Sequence, residues 1–213
     1  MKKSQNNYLL KKRLEVLKFA KIFIAEKGLT KNSLENISKR YGLDINQTEL
    51  LFPEGEIDLI QFALEQLNNE LEEYCRKIDL IRLPVHKRIK KILLSKISLI
   101  NKNKFFYKSI FLNLLIPKKN FSLPSQLYKS VDQIWFLAGD SSTDFNFYTK
   151  RLLLSVIYSR IMLFFFNNNN QEELENILDE SLKRVSKIPE IKSKLKMFKE
   201  YFPKVAKFVK NSY

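Results

Sequence analysis

The chain holds one cysteine, Cys75, and one histidine, His86, among 213 residues. A lone cysteine excludes an internal disulfide and suits a reducing compartment. One thiol and one imidazole also cannot assemble a zinc constellation, so no metal site is expected. His86 lies beside Lys87 and Arg88, the context of an exposed surface position. No glycine-rich phosphate loop and no catalytic pairing of nucleophile and base is present. The expectation is therefore no catalytic residue, no cofactor, and a protein that is not an enzyme. Glycine and proline are scarce, at four and six, and no run alternates apolar and polar residues between turns. That pattern excludes a sheet and predicts an all-α fold.

Long apolar runs are missing as well. The most apolar stretch, "LLLSVIYSRIMLFFF" at 152–166, is interrupted by Arg160. It falls short of the ~18 apolar residues expected of a spanning helix. The N-terminal "MKKSQNNYLLKKRLEVLKFA" has no adequate apolar run or small-residue cleavage site for a signal peptide. A helical pattern beginning near Tyr8 leaves little room for a transit peptide. The expectation is a soluble chain, or one that rests on a membrane without crossing it.

The most informative absence is of positive charge. The net charge is +15, but residues 41–75 hold no basic side chain and nine acidic ones. Residues 1–40 hold 11 basic and 3 acidic, and residues 76–119 hold 13 basic and 1 acidic. The depleted block falls where the chain has the shape of a helix-turn-helix. Helices are predicted at 8–27, at 33 onward with Ser33 as cap, and at 44–51 after a turn at Gly42. In a DNA reader the last of these would enter a groove between phosphates, held by Lys and Arg. Here that helix carries Asp44 and Glu49, and the next adds Glu54, Glu56 and Asp58. Such a face repels a duplex, so no nucleic-acid partner is expected.

Further helices are predicted at 56–78, 84–100, 104–115, 125–137, 143–166 and 172–186, with a proline-punctuated loop at 117–124 and a break at Gly139. Three short helices followed by longer ones is the plan of TetR-type regulators. The expected domains are a helix-turn-helix-like unit at 1–52, a lipid-binding and dimerisation bundle at 53–188, and a basic tail at 189–213.

Two segments carry a resemblance. "DQIWFLAGDSSTDFNFYTKRLLLSVIY" at 132–158, and more weakly "LFPEGEIDLIQF" at 51–62, are similar to the lipid-binding accessory protein family of ubiquinone biosynthesis, the ninth Coq protein. The family usually has Trp-Tyr where this chain has Phe147-Tyr148, so an indole donor is lost. The resemblance implies a TetR-like fold that has given up DNA, a homodimer, and a pocket for an isoprenoid lipid or quinone intermediate. It also implies presentation of that intermediate to the di-iron demethoxyubiquinone hydroxylase. The implied location is cytoplasmic and peripheral to the inner membrane, or the mitochondrial matrix in a eukaryote.

Three groups of residues are candidates for function. The helix at 143–166 is apolar nearly all round in its later part, which serves core packing, a lipid cavity or a dimer seam. Its candidate lipid-lining residues are Leu153, Ile157, Ile161, Met162 and Phe165, with Trp135 from the helix before. At its polar start Asp144 and Tyr148, and Phe147 and Arg151, share faces at four-residue spacing. This mixed aromatic and charged patch is the candidate docking site for the hydroxylase. In the tail, Leu195, Phe198, Tyr201, Phe202, Val205, Phe208 and Val209 form an apolar face among lysines, the pattern of an interfacial helix at a membrane surface. Pro203 should kink it. The competing functions are a TetR-type transcriptional repressor and an enzyme of quinone synthesis.

Overall fold

The computed structural model describes residues 2–114, 123–140 and 145–186, with side chains for 6–114, 125–140 and 147–183. Among these every regular element is a helix, so the fold is all-α and TetR-like: α1 (Lys2–Lys27), α2 (Ser33–Tyr41), α3 (Ile45–Leu51), α4 (Glu56–Arg76), α5 (Val85–Asn101), α6 (Lys104–Leu114), α7 (Leu123–Leu137), α8 (Phe145–Asn167) and α9 (Gln171–Ser186). The sequence-based bounds agree to within two residues except at the start of α1, which begins earlier than periodicity suggested. The chain forms two compact units, Met1–Asn168 and Asn169–Tyr213. The three N-terminal helices thus share a unit with α4–α8.

The turn between α2 and α3 follows the expected chemistry. Gly42 adopts φ 84°, a left-handed conformation that glycine takes without strain, and Leu43 N–H closes on Ser38 O at 2.9 Å. Asp44 then caps α3 in a reciprocal box: its carboxylate accepts from Gln47 N–H at 2.7 Å, and Gln47 Oε1 accepts from Asp44 N–H at 3.3 Å. Ser33 is not the cap of α2. It is already helical, its hydroxyl accepts from Thr30 N–H at 2.8 Å, and Glu56 Oε1 at the start of α4 accepts from Leu34 N–H at 3.3 Å. A carboxylate from α4 replaces the local cap and so ties α2 to α4.

In the first unit, α1 packs on α6 and α2, α4 on α5, α7 on α8, and α7 also on α4 and α5. Val16, Ile37, Leu71, Ile92, Leu93, Val131, Ile134 and Ile161 are fully enclosed. The segment 51–62 supplies part of this core. Phe52 and Phe62 meet edge-on at 6.5 Å, and the Arg13 guanidinium lies 4.2 Å from the Phe62 ring centroid and 5.2 Å from that of Phe52. Lys108 Nζ and Lys104 Nζ donate to the last carbonyls of the α8 segment, Phe166 O and Asn168 O, at 3.0 and 3.2 Å. These cations complement the negative end of that helix.

In the second unit Asn170 Oδ1 accepts from Glu173 N–H at 3.1 Å, and Glu172 and Glu173 stand in the first turn of α9, where carboxylates favour the helix dipole. Leu174, Leu178 and Leu182 recur on one face of that helix. Among the described residues no helix is long and apolar enough to cross a membrane. The candidate membrane residues Leu195, Phe198, Tyr201, Phe202, Val205, Phe208 and Val209 lie outside the described residues, as does Asp144.

Candidate functional site

A narrow slot of about 60 Å³ opens into the first unit between α4, α5, α6, α7 and α8. Most of its wall is apolar, from Leu67, Ile100, Ile110, Leu114, Met162 and Phe166. Polar groups converge within it: Asn68, Lys96, Tyr107, Gln126, Ser130 and Tyr158. An apolar cleft with a few placed polar groups is the usual form of a small-molecule site.

Lys96 is the unusual member. It shares a face of α5 with Ile89, Leu93 and Ile100, all buried, and is itself 1 % exposed. Its Nζ donates to Asn68 Oδ1 at 3.0 Å and lies 5.6 Å from the Tyr158 ring centroid. Burial pulls its ammonium down to about 7, because a charge removed from water favours its neutral form. Burial pushes the phenols of Tyr107 and Tyr158 up, the former also under the field of Glu70, so both stay protonated. Sequence reasoning missed Lys96. The signal was a lysine at a position that helical periodicity reserves for an apolar residue, in "ILLSKISLI".

Of the candidate lipid residues, Met162 lines the slot. Ile157, Ile161 and Phe165 are buried, and Leu153 is half-buried, outside its lining. Trp135 is buried and its indole N–H donates to Lys150 O at 3.1 Å.

The candidate docking residues separate in depth. Tyr148 is 67 % exposed, whereas Arg151 is buried. Arg151 Nε donates to Asp132 Oδ1 at 2.6 Å, and its Nη1 reaches Asp140 Oδ2 at 3.3 Å and Phe147 O at 3.2 Å. Its guanidinium stacks 3.2 Å from the centroid of the half-buried Phe147 ring. Lys150 Nζ completes the group on Asp140 Oδ1 at 2.5 Å. Asp132, Asp140, Lys150 and Arg151 thus clasp α7 to α8. On the outer side of α8, Tyr148, Leu152, Val156 and Leu163 form an exposed apolar stripe, and Phe136 and Tyr128 of α7 are also exposed.

A second, wider groove of about 330 Å³ borders α2, α3 and the start of α4. Glu35, Asp44, Glu49 and Glu56 stand along it, with Lys39 as its one cation, paired to Glu35 at 2.6 Å.

The first unit is thus an all-helical bundle with an internal, mostly apolar slot. Residues 122–189, which include the clasp and α8, match the COQ9 family model. The chain is 48 % identical over 46 residues to the human mitochondrial ubiquinone biosynthesis protein COQ9, covering 22 % of this chain and 14 % of that protein. It is 25 % identical over 150 residues to the rat mitochondrial protein of the same name, covering 68 % of this chain and 48 % of the relative. The similarity to the COQ9 family is carried by residues 122–189 and by these two relatives. The matched stretches span less than half the length of these curated relatives.

Proposed function

We propose that this protein acts in ubiquinone biosynthesis as a lipid-binding accessory protein. It takes an isoprenoid or quinone intermediate from a membrane and presents it to the demethoxyubiquinone hydroxylase. The observation that carries the reading is the slot: an apolar cleft inside the bundle, with a small set of polar groups, in a chain whose relatives are named for ubiquinone biosynthesis. The chemistry belongs to the hydroxylase, and this chain supplies binding and orientation.

The remaining parts of the reading follow from the surface. The apolar stripe of α8 is the face for a second copy of the chain, which would withdraw Leu152, Val156 and Leu163 from water. Its Tyr148 end, held in place by the Arg151 clasp, is the face for the hydroxylase. The basic tail rests on the lipid surface where the protein works, at the inner membrane of a bacterium or in the mitochondrial matrix. The acid-walled groove beside α3 supports a scaffold that does not hold DNA, because a duplex needs cations there.

Mass spectrometry of organic extracts from the purified protein tests the central claim. A prenylated quinone or its precursor, recovered at close to one per chain, is the expected result. Lipid-free protein that also fails to take up an added prenylated quinone would refute it.

A further inference from the structure

Asn68, Lys96, Ser130 and Tyr158 form one polar cluster in the slot, and Tyr107, Gln126 and Ser159 are the other polar side chains along its wall. Lys96 faces Tyr158 at one level, and eight residues on, Lys104 Nζ lies 4.5 Å from the ring centroid of Phe165. The α5–α6 side and α8 therefore run the same way. Ile100 and Met162 lie one turn beyond the lysine, and Phe166 lies another turn on. Asn68 bonds Lys96, and the Ser130 side chain pairs with Tyr158, so these four groups form one cluster on the side of the slot away from Phe166.

An ammonium offers three donors and Asn68 Oδ1 takes one. Among the described residues Lys96 forms no ion pair. The titratable groups around it are the two protonated phenols, Tyr107 and Tyr158, and Glu70, whose field falls on Tyr107. A buried cation without a carboxylate leaves donors that an incoming oxygen would satisfy. The space is also short. At about 60 Å³ it admits about four waters, roughly the bulk of one six-membered ring, and not a long chain.

We infer that the slot receives its lipid head first. An oxygen-bearing ring, a quinone or hydroquinone, accepts hydrogen bonds from Lys96 Nζ, and the hydrocarbon chain leaves past Ile100, Met162 and Phe166. This rests on the lipid-binding reading above and adds to it an orientation and a specificity-determining residue. A head held inward is shielded from water and from stray redox partners until the protein docks.

The test is titration of the full chain with two probes of equal tail, 2-decyl-1,4-benzoquinone and decylbenzene, which lacks the oxygens. The expected result is at least about tenfold tighter binding of the quinone, the range for a hydrogen bond to a charged group. Lys96→Met should bring the two probes to within about twofold. Lys96→Gln, which keeps an N–H donor, should retain part of the preference. Met162→Trp, a turn away from Lys96 and its partners, should weaken both probes and leave their ratio intact. Equal affinity in the unaltered protein, or a ratio that Lys96→Met does not change, overturns the head-first orientation while lipid binding stands. Failure to bind either probe removes the lipid reading, and this inference with it.

Discussion

Arg151 on α8 and Asp132 on α7 meet at 2.6 Å between Nε and Oδ1, and the same guanidinium reaches Asp140, just past the end of α7, at 3.3 Å. One planar, always-charged side chain thus fastens both ends of a helix-turn-helix junction, a task that a lysine's single ammonium cannot copy. Gly139 makes the junction possible: it adopts φ 82°, and a Cβ there would stand 3.1 Å from Arg88 Nη1. Arg88 in turn donates to Ala138 O at 3.1 Å and to Leu83 O and Ile81 O at 2.7 Å, holding the end of α7 to the start of α5.

Replacing Arg151 with Met should therefore destabilise the protein by about 2–3 kcal/mol. This lies below the usual cost of breaking a buried pair, because Asp132 is half-exposed and Asp140 keeps Lys150. Arg151→Lys should recover less than half of the loss. Urea midpoints at constant slope measure both. A change under about 0.5 kcal/mol for Arg151→Met would mean that the clasp contributes nothing to folding.

Lys96 gives stability an unusual pH dependence. Its folded-state value, about 7, lies below the ordinary lysine value near 10.5. Between those limits the unfolded chain binds the extra proton, so this group makes stability rise as pH increases from about 7 toward 10. Below 7 the buried ammonium carries its full desolvation cost, on the order of a few kcal/mol. Lys96→Met should remove this slope and raise the melting temperature most at pH 6. Parallel curves for the two proteins from pH 6 to pH 9.5 would contradict the burial of a titrating lysine.

Helix periods, the caps at Asp44 and Gly42, and the break at Gly139 are local chemistry, and they were legible in the sequence. Met162, one of the candidate residues, lines the slot, and Tyr148 is exposed. Other features depend on chain segments far apart in sequence. Glu56 satisfies Leu34 N–H across 22 residues, and no rule of local capping assigns it that role. Arg151 looked like a surface docking residue because arginines are common there, yet two carboxylates of α7 and its following turn enclose it. The polar cluster of the slot draws Asn68, Lys96, Ser130 and Tyr158 from four helices, so only their packing reveals it as one group. The periodicity of α8 was ambiguous for a physical reason. One side of the helix is core, and the opposite side also carries exposed apolar residues, Leu152, Val156 and Leu163, interrupted by Ser159 and Arg160.

That uncovered side predicts self-association. Val156 is 64 % exposed and Leu152 66 %, one turn apart. Val156→Glu would place a carboxylate in the middle of the stripe, where a second copy could not solvate it. Sedimentation should show a dimer for the unaltered chain and at least about a tenfold weaker one for the variant, with the monomer's helical content unchanged. A dimer that tolerates Val156→Glu would locate the seam elsewhere.

The tail carries a separate expectation. Lysines 194, 196, 199, 204, 207 and 210 surround its apolar residues, and each basic group near an anionic surface contributes about 1 kcal/mol. Removing residues 193–213 should reduce flotation with vesicles containing acidic lipid at least about tenfold, and added salt should weaken binding of the intact chain. Undiminished flotation of the shortened chain would refute the tail as the membrane contact.

The reading that competes most directly is DNA binding, and charge decides between the two. A repressor with several phosphate contacts loses roughly 10³-fold or more in affinity between 50 and 200 mM salt. Here α3 contributes Glu49 and its cap Asp44, and Lys39 nearby is already paired with Glu35. The remaining basic residues of this unit lie mainly on α1. A gel shift against the upstream region of its own coding sequence should show at most weak, sequence-independent binding that disappears by about 150 mM salt. Substituting Gln47 should leave that binding unchanged, because α3 does not enter a groove. Tight binding to one sequence that a change at Gln47 abolishes would restore the gene-regulatory reading, and the acid-walled groove would then need another explanation.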